Sequence, residues 1–274
     1  MARWPVGSAA VATAAIAPCT GATAVVLGSR LSFAWASVTK LASALAVLVA
    51  VEEGTISLDT PAGPPGSTIR HLLAHASGLG PDDGLASVPP ATVRIYSNAG
   101  YRQLAETIAE HAGMSFADYL RAGVLGPLGM DGTIVDEGIS AGAAAAGLSG
   151  PIDDLLALAR EWSCPTLISP GTHRQAVSVQ FPGLAGVLPG YQRFDPCDWG
   201  LGCELRGDKR PHWTGTANSA ETFGHFGQSG SFLWVDPSAG VVCAALADRP
   251  FGPWAARAWP VFSDAVLANA TATT

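Results

Sequence analysis

Ser37 and Lys40 stand three residues apart at the start of an apolar segment, a spacing that puts both on one side of a first helical turn. A serine hydroxyl attacks a carbonyl when a nearby base takes its proton and donors meet the developing oxyanion. At a helix start Ser37 also brings its own unpaired N–H and the positive end of the helix dipole, so one residue could supply the nucleophile and half of an oxyanion hole. Alone, S-x-x-K occurs by chance in many chains, and the pair reads more readily as an N-cap and a surface lysine. Tyr96-Ser97-Asn98 adds a second element. A nearby ammonium favours phenolate, so Tyr96 beside Lys40 could take the serine proton and return it to a leaving group. Asn98 could orient Lys40 and a substrate carbonyl or amide. The third element is His225-Phe226-Gly227. Gly227 would let a substrate lie close along a strand edge, and the N–H of Gln228 could complete the oxyanion hole. His212-Trp213-Thr214-Gly215 is a similar string upstream. His225 is preferred because 231–237 follows it as a strand and turn.

These groups need elements to hold them. Residues 6–16 and 22–27 read as strands joined by a turn at Pro18-Cys19-Thr20-Gly21. Residues 37–53 read as a helix that Gly54 stops; it is apolar all round beyond its first turn and should run through the middle of the fold. Helices are expected over 68–76 (closed by Gly78), 99–112, 115–122, 153–162 and 171–177, with a long loop over 81–95. Strands return at 200–205, 231–236 and 241–247, and a helix over 254–268 closes the chain. Strands at both ends with helices between predict an α+β fold. One antiparallel sheet is formed by both chain ends with flanking helices, and a mostly helical insertion covers one end of it. The expected division is a sheet body of 1–56 and 199–274 and a helical insertion domain of 57–198.

Composition narrows the partners. The 274 residues are 48% hydrophobic and 14% charged, enough for a large core without metal or disulfide staples. A net charge of −7 without a Lys/Arg run argues against nucleic acid or an anionic membrane. The apolar run 41–51 is too short to cross a bilayer. Of the 15 basic residues only Lys40 and Lys209 are lysines. A lysine in an apolar segment needs a reason, and an ammonium, unlike a guanidinium, can lose its proton when buried. The cysteines (Cys19, Cys164, Cys197, Cys203 and Cys243) follow no zinc spacing. In an extended segment Cys197 and Cys203 would lie roughly 20 Å apart, so free thiols in a reducing, cytoplasmic compartment are expected, with export as the alternative. The stretch 6–17 only superficially resembles a signal peptide.

S-x-x-K at a helix start, then Y-x-N, then H-x-G before a late strand is the order of the penicillin-recognising serine hydrolases. The chain resembles the β-lactamase-related family, which spans class C β-lactamases, D-alanyl-D-alanine peptidases and related esterases. Ala36-Ser-Val-Thr-Lys, 51–59, 69–79, Tyr96-Ser-Asn-Ala-Gly-Tyr, 125–130 and Gly224-His-Phe-Gly with 233–237 all share in the likeness. The resemblance implies a β-lactamase/transpeptidase-like fold, with Ser37 as the acylated nucleophile and Lys40 with Tyr96 handling protons. It further implies that Asn98 and His225 support the substrate and the Lys/Tyr network, and that the N–H groups of Ser37 and Gln228 form the oxyanion hole. No cofactor or metal is called for: His71 and His75, at i and i+4 of one helix, are expected to pack that helix rather than hold an ion. Trp35 either lines the pocket or packs the core. Family members that bind β-lactams or peptide carboxylates usually carry a hydroxyl where this chain has Phe226. An ester or small amide is therefore the expected substrate. A peptidase or β-lactamase, and a member that binds a ligand without turnover, stay open.

Overall fold

The computed structural model describes residues 9–16, 25–28, 30–136 and 142–271. The strands are β1 (Ala9–Ile16), β2 (Val25–Gly28), β3 (Phe33–Ala34), β4 (Ile134–Val135), β5 (Leu148–Gly150), β6 (Gly186–Val187), β7 (Arg193–Phe194), β8 (Glu204–Leu205), β9 (Phe223–Phe226), β10 (Phe232–Asp236) and β11 (Val241–Ala247). The helices are α1 (Thr39–Glu52), α2 (Ile69–Leu73), α3 (Asn98–Ala112), α4 (Phe116–Leu120), α5 (Ala143–Ala146), α6 (Ile152–Ser163), α7 (Pro170–Ala176) and α8 (Pro253–Thr271).

Six strands form one sheet in the order β2-β1-β11-β10-β9-β8. The first strand pairs antiparallel with the last, Ala9 opposite Ala247 and Thr13 opposite Cys243, so the two chain ends build the sheet as expected. Side chains alternate across a strand, and both faces here are apolar. Leu233, Val235, Val242, Ala244 and Leu246 face the core that holds α1 and α6. Phe232, Trp234, Val241, Cys243 and Ala245 face the core under α8, with Trp254 and Trp259. A continuous hydrophobic run in β11 thus reflects burial on two sides.

Helix α1 is buried from Thr39 to Ala50, which fits a sequence with no polar stripe. Beyond it, Gly54 turns the chain with φ 76°. Other boundaries moved. The helix expected over 68–76 ends at Leu73, and the reversal comes at His75, with φ 54°, rather than at Gly78. The strand expected over 200–205 keeps only Glu204–Leu205, because Leu201 N–H donates to Ala176 O and Gly202 N–H to Leu73 O. A Cβ on Gly202 would stand 2.2 Å from Ala44 Cβ, so this segment packs directly on α1. The small sheet β3-β5-β4 and the hairpin β6-β7 escaped the sequence reading, since strands of two or three residues carry no period.

Cys197, Cys203 and Cys243 are buried and form no disulfide. Cys164 is disulfide-bonded, which corrects the expectation of free thiols throughout; Cys19 lies outside the described residues, as does the whole turn 18–21. Among the described residues no helix is long and apolar enough to cross a membrane.

Trp259 is fully buried and meets Phe232 and Phe251 with ring centroids 5.1 and 5.2 Å apart. Trp259→Ala should lower the unfolding free energy by about 3–5 kcal/mol, measured by denaturant titration. A loss under about 1 kcal/mol would mean that α8 is not integral to the sheet core.

Candidate active site

Ser37 sits in a single 3₁₀ turn, Ala36–Val38, that leads from β3 into α1. The chain enters this turn through Ala36 at φ 47°, a left-handed conformation that a side chain tolerates only under strain. Trp35 N–H donates to Leu148 O at 2.9 Å and anchors the approach. Trp35 itself is fully buried in the core, so the choice left open for it falls to packing. From the other side comes the turn after β9. A Cβ on Gly227 would stand 2.5 Å from Trp35 O and 3.1 Å from Ser37 N. Glycine at 227 thus serves the chain's own packing, bringing the 227–230 turn against the Ser37 turn. Ser231 Oγ donates to Ala34 O at 3.1 Å and ties the two together. Ser37 N–H lies in a first turn, where donors lack intrahelical acceptors. Gln228 N–H makes no hydrogen bond among the described residues.

Lys40 is fully buried one turn on. Its Nζ donates to Asn98 Oδ1 at 2.6 Å and to Ala145 O at 2.8 Å, and lies 4.8 Å from the centre of the Tyr96 ring and 5.2 Å from that of Tyr101. Among the described residues no carboxylate touches it. Burial therefore pulls its pKa down to about 7, with Asp82 opposing at a distance. The second lysine makes the contrast. Lys209 is also buried, but its Nζ meets Glu204 Oε1 at 2.6 Å in an ion pair. One buried lysine has a counter-charge and the other has only neutral acceptors.

Tyr96 and Asn98 reach the site because α3 begins between them. Ser97 caps α3 by accepting Gly100 N–H, and its Oγ donates to Gly80 O at 2.7 Å. Asn98 Nδ2 donates to Asp82 Oδ1 at 2.8 Å, which leaves Oδ1 turned to Lys40. The Tyr96 hydroxyl is buried and forms no aligned hydrogen bond, yet Ser37 is the side chain that stabilises its phenolate. The two hydroxyls are neighbours without a formed bond. Burial dominates the phenol's acidity and raises its pKa well above the usual tyrosine range. This corrects the expected phenolate: at rest Tyr96 keeps its proton, and Lys40 is the group that can be neutral near pH 7.

His225 lies on β9, buried, with Nδ1 donating to Phe226 O at 2.7 Å and Nε2 without a partner. Burial and the nearby Lys40 push its pKa down to about 3, so it is a neutral ring with a bare acceptor nitrogen. A cavity of about 160 Å³ brings Ser37, Tyr96, Asn98, His225 and Gln228 together. Its remaining lining is Leu188, Pro189, Trp199, Glu204 and Phe226, none of which the motifs pointed to apart from Phe226. Leu188 and Pro189 come from the β6-β7 hairpin, whose two-residue strands gave no signal. The Phe226 ring packs on Trp213, Phe251 and Trp259 at 5.6, 5.1 and 5.7 Å and offers no hydroxyl. His212 belongs elsewhere: its Nε2 and the Trp213 Nε1 both bond Glu204 Oε2 at 2.9 Å, a buried structural network. His71 and His75 do not share a helical face. His71 pairs with Thr68 and stacks on Phe181, whereas His75 lies past the helix among Tyr96, Tyr101 and Trp199. Ala145 O and Asp82 also escaped notice, since a backbone carbonyl in an Ala/Gly-rich stretch and an acid in a long loop carry no motif.

A buried apolar helix carrying Lys40, entered through the Ser37 turn and packed on one face of an antiparallel sheet that both chain ends complete, is a β-lactamase/transpeptidase-like fold. A family model described as beta-lactamase matches residues 27–267, and the chain belongs to that family of hydrolases. It is similar to a crystal structure of a beta-lactamase from Mycobacterium bovis, at 50% identity and TM-score 0.93, over 98% of this chain and 97% of that one. A hydrolase with promiscuous acyltransferase activity, EstCE1, shares the fold at 19% identity and TM-score 0.73, covering 95% and 93% of the two chains. Among curated proteins, penicillin-binding protein 4* of Bacillus subtilis (strain 168) is 32% identical over 137 residues, 38% of this chain and 30% of that protein's length.

Gly227→Ala should force the 227–230 turn off the Ser37 turn. Turnover is expected to fall by about 10²–10³, the scale of losing one oxyanion donor. Steady-state kinetics on the folded variant measure it; unchanged turnover would mean that the two turns need not touch.

Proposed function

We propose that this protein hydrolyses a carboxylic ester or small amide through an acyl-enzyme on Ser37. The observation that carries the reading is Lys40: buried, without a carboxylate partner among the described residues, and with a pKa near 7 one helical turn from a serine. Its neutral amine takes the Ser37 proton as Oγ bonds the substrate carbonyl carbon. The oxyanion that forms is held by the N–H groups of Ser37 and Gln228. The tetrahedral intermediate collapses by breaking the bond to the leaving group. Tyr96, a neutral phenol, gives that group its proton and is reprotonated from the Lys40 ammonium. Water then repeats the sequence on the acyl-enzyme, releasing acid and restoring Ser37. Asn98 holds Lys40 between Asp82 and the site, and His225 offers Nε2 to a donor on the substrate.

The cavity supports the choice of substrate. Its size is comparable to an apolar cavity that holds one benzene, and Leu188, Pro189, Trp199 and Phe226 suit a short acyl group. A β-lactam substrate is the second reading, favoured by the 50% identity to the mycobacterial beta-lactamase. Phe226 weighs against it, since no hydroxyl there meets a carboxylate. The Cys164 disulfide supports an oxidising compartment, and so export over the cytoplasmic location. The helical insertion of 57–198 stays part of the proposal as the unit that carries Tyr96 and Asn98 to the sheet.

Ser37→Ala should abolish hydrolysis of short-chain p-nitrophenyl esters, a loss on the order of 10⁶ in turnover. Intact-mass analysis should find fluorophosphonate on Ser37, and a penicillin adduct that persists or turns over would promote the second reading. Retained hydrolysis in Ser37→Ala would sink the assignment. Lys40→Arg should be nearly as damaging, because a guanidinium does not cycle a proton. A base acts in its unprotonated form, present above its pKa, so kcat/KM should rise as pH passes about 7 and fall away below it. A flat profile from pH 5 to 8 would remove Lys40 as the base.

A further inference from the structure

The reaction leaves His75 without a task, although the fold buries it beside the reacting groups. His75 adopts φ 54°, uncommon for a residue other than glycine, and is 1% exposed. Both its backbone and its ring receive N–H groups from the loop that carries Tyr96. Ile95 N–H donates to His75 O at 3.0 Å, and Ser97 N–H donates to His75 Nδ1 at 3.1 Å. On either side, the Arg94 guanidinium donates to Ala74 O and Ala91 N–H to Ala76 O. The two segments are stitched along their length, and His75 is the stitch that flanks Tyr96 before and after.

The ring matters as much as the bond. Tyr96 Oη has no aligned hydrogen bond, and the neighbouring Ser37 hydroxyl by itself does not fix the phenol. Its orientation must come from packing and from the backbone. His75 packs on it at 4.6 Å between centroids, closer than Trp199 or His225, each at 5.8 Å. Trp199 in turn meets the His75 ring edge-on at 4.6 Å. Because Nδ1 accepts, the imidazole proton sits on Nε2. Burial first, and then Lys40, keep the ring neutral.

We propose that His75 is a positioning residue for Tyr96: in its Nε2–H form it accepts the Ser97 N–H and packs against the phenol ring, and so sets where the Tyr96 hydroxyl stands beside Ser37. This rests on the reading of Tyr96 as the proton carrier given above.

Two variants separate the parts. His75→Phe keeps a ring and removes the acceptor; His75→Asn keeps an acceptor, tolerates the left-handed backbone and removes the ring. On a short-chain p-nitrophenyl ester, His75→Phe should lower kcat about 10²-fold with KM within about threefold, the signature of a misplaced reacting group. His75→Asn should recover kcat to within about tenfold of the native enzyme. Fluorophosphonate should still label Ser37 to completion in both. Near-native kcat in His75→Phe overturns the inference. So does a joint loss of kcat, substrate binding and thermal midpoint in both variants, which is a structural role alone. Should His75→Phe not fold, ¹⁵N NMR of the native protein decides with His75→Asn: a proton on Nδ1 overturns the inference, and one on Nε2 with the expected recovery supports it. Hydrolysis that survives Ser37→Ala would instead overturn the reading of the site, whereas Ser37-dependent hydrolysis indifferent to His75→Phe overturns this inference alone.

Discussion

The burial of the Lys40 amine, with no carboxylate against it among the described residues, is the constraint on which the rest of the site depends. Taking a cation out of water is costly, and a protein usually offsets it with a counter-charge, as Glu204 does for Lys209. Among the described residues Lys40 meets Asn98 Oδ1 and Ala145 O, which solvate either protonation state of the amine without forcing it to stay charged. Asp82, screened behind the Asn98 amide, moderates the effect and does not cancel it. A lysine so held can take and return a proton near neutrality. The same dry surroundings act oppositely on Tyr96, which they keep protonated. One environment thus pushes the two acidities apart in the directions a base and an acid require.

Holding that environment takes parts distant in sequence. Helix α1 runs inside the core, so its first turn can be dry only if other chain segments cover it. The Ala143–Ala146 helix does so on one side, the start of α3 on another and the 227–230 turn on a third. The last contact leaves no room for a side chain at Gly227 and accompanies the left-handed backbone at Ala36. Strain of this kind persists where the surroundings over-determine it. Here β3, β5 and the β9-β10 connection do so with hydrogen bonds to Trp35 and Ala34.

Beyond the reacting groups the surroundings are aromatic. His75, Tyr96, Trp199 and His225 meet ring to ring, and a second group around Phe226 and Trp259 lies behind β9. Both histidines stay neutral because burial and Lys40 disfavour more positive charge. The pocket thus sets polar side chains from Ser37, Tyr96, Asn98, Glu204, His225 and Gln228 against an apolar wall of Leu188, Pro189, Trp199 and Phe226.

The sequence by itself determined the order of chemistry-bearing residues, the apolar central helix and the pairing of the two chain ends, because period and composition are local and survive in one dimension. It also marked Ser37, Lys40, Tyr96, Asn98 and His225, which carry recognisable spacing. The tertiary structure decided what spacing cannot express. Whether Lys40 is neutral depends on what else is within a few ångströms, and those neighbours come from residues 82, 98 and 145. The premature end of α2 at Leu73, the reversal at His75 and the removal of His212 into the Glu204 network likewise follow from long-range hydrogen bonds. Free thiols were expected and Cys164 is bonded, since connectivity is set by proximity in the fold. Ser37 and Lys40 were legible as a pair; that burial lowers the Lys40 pKa is a property of the dry seam into which three separate segments seal it.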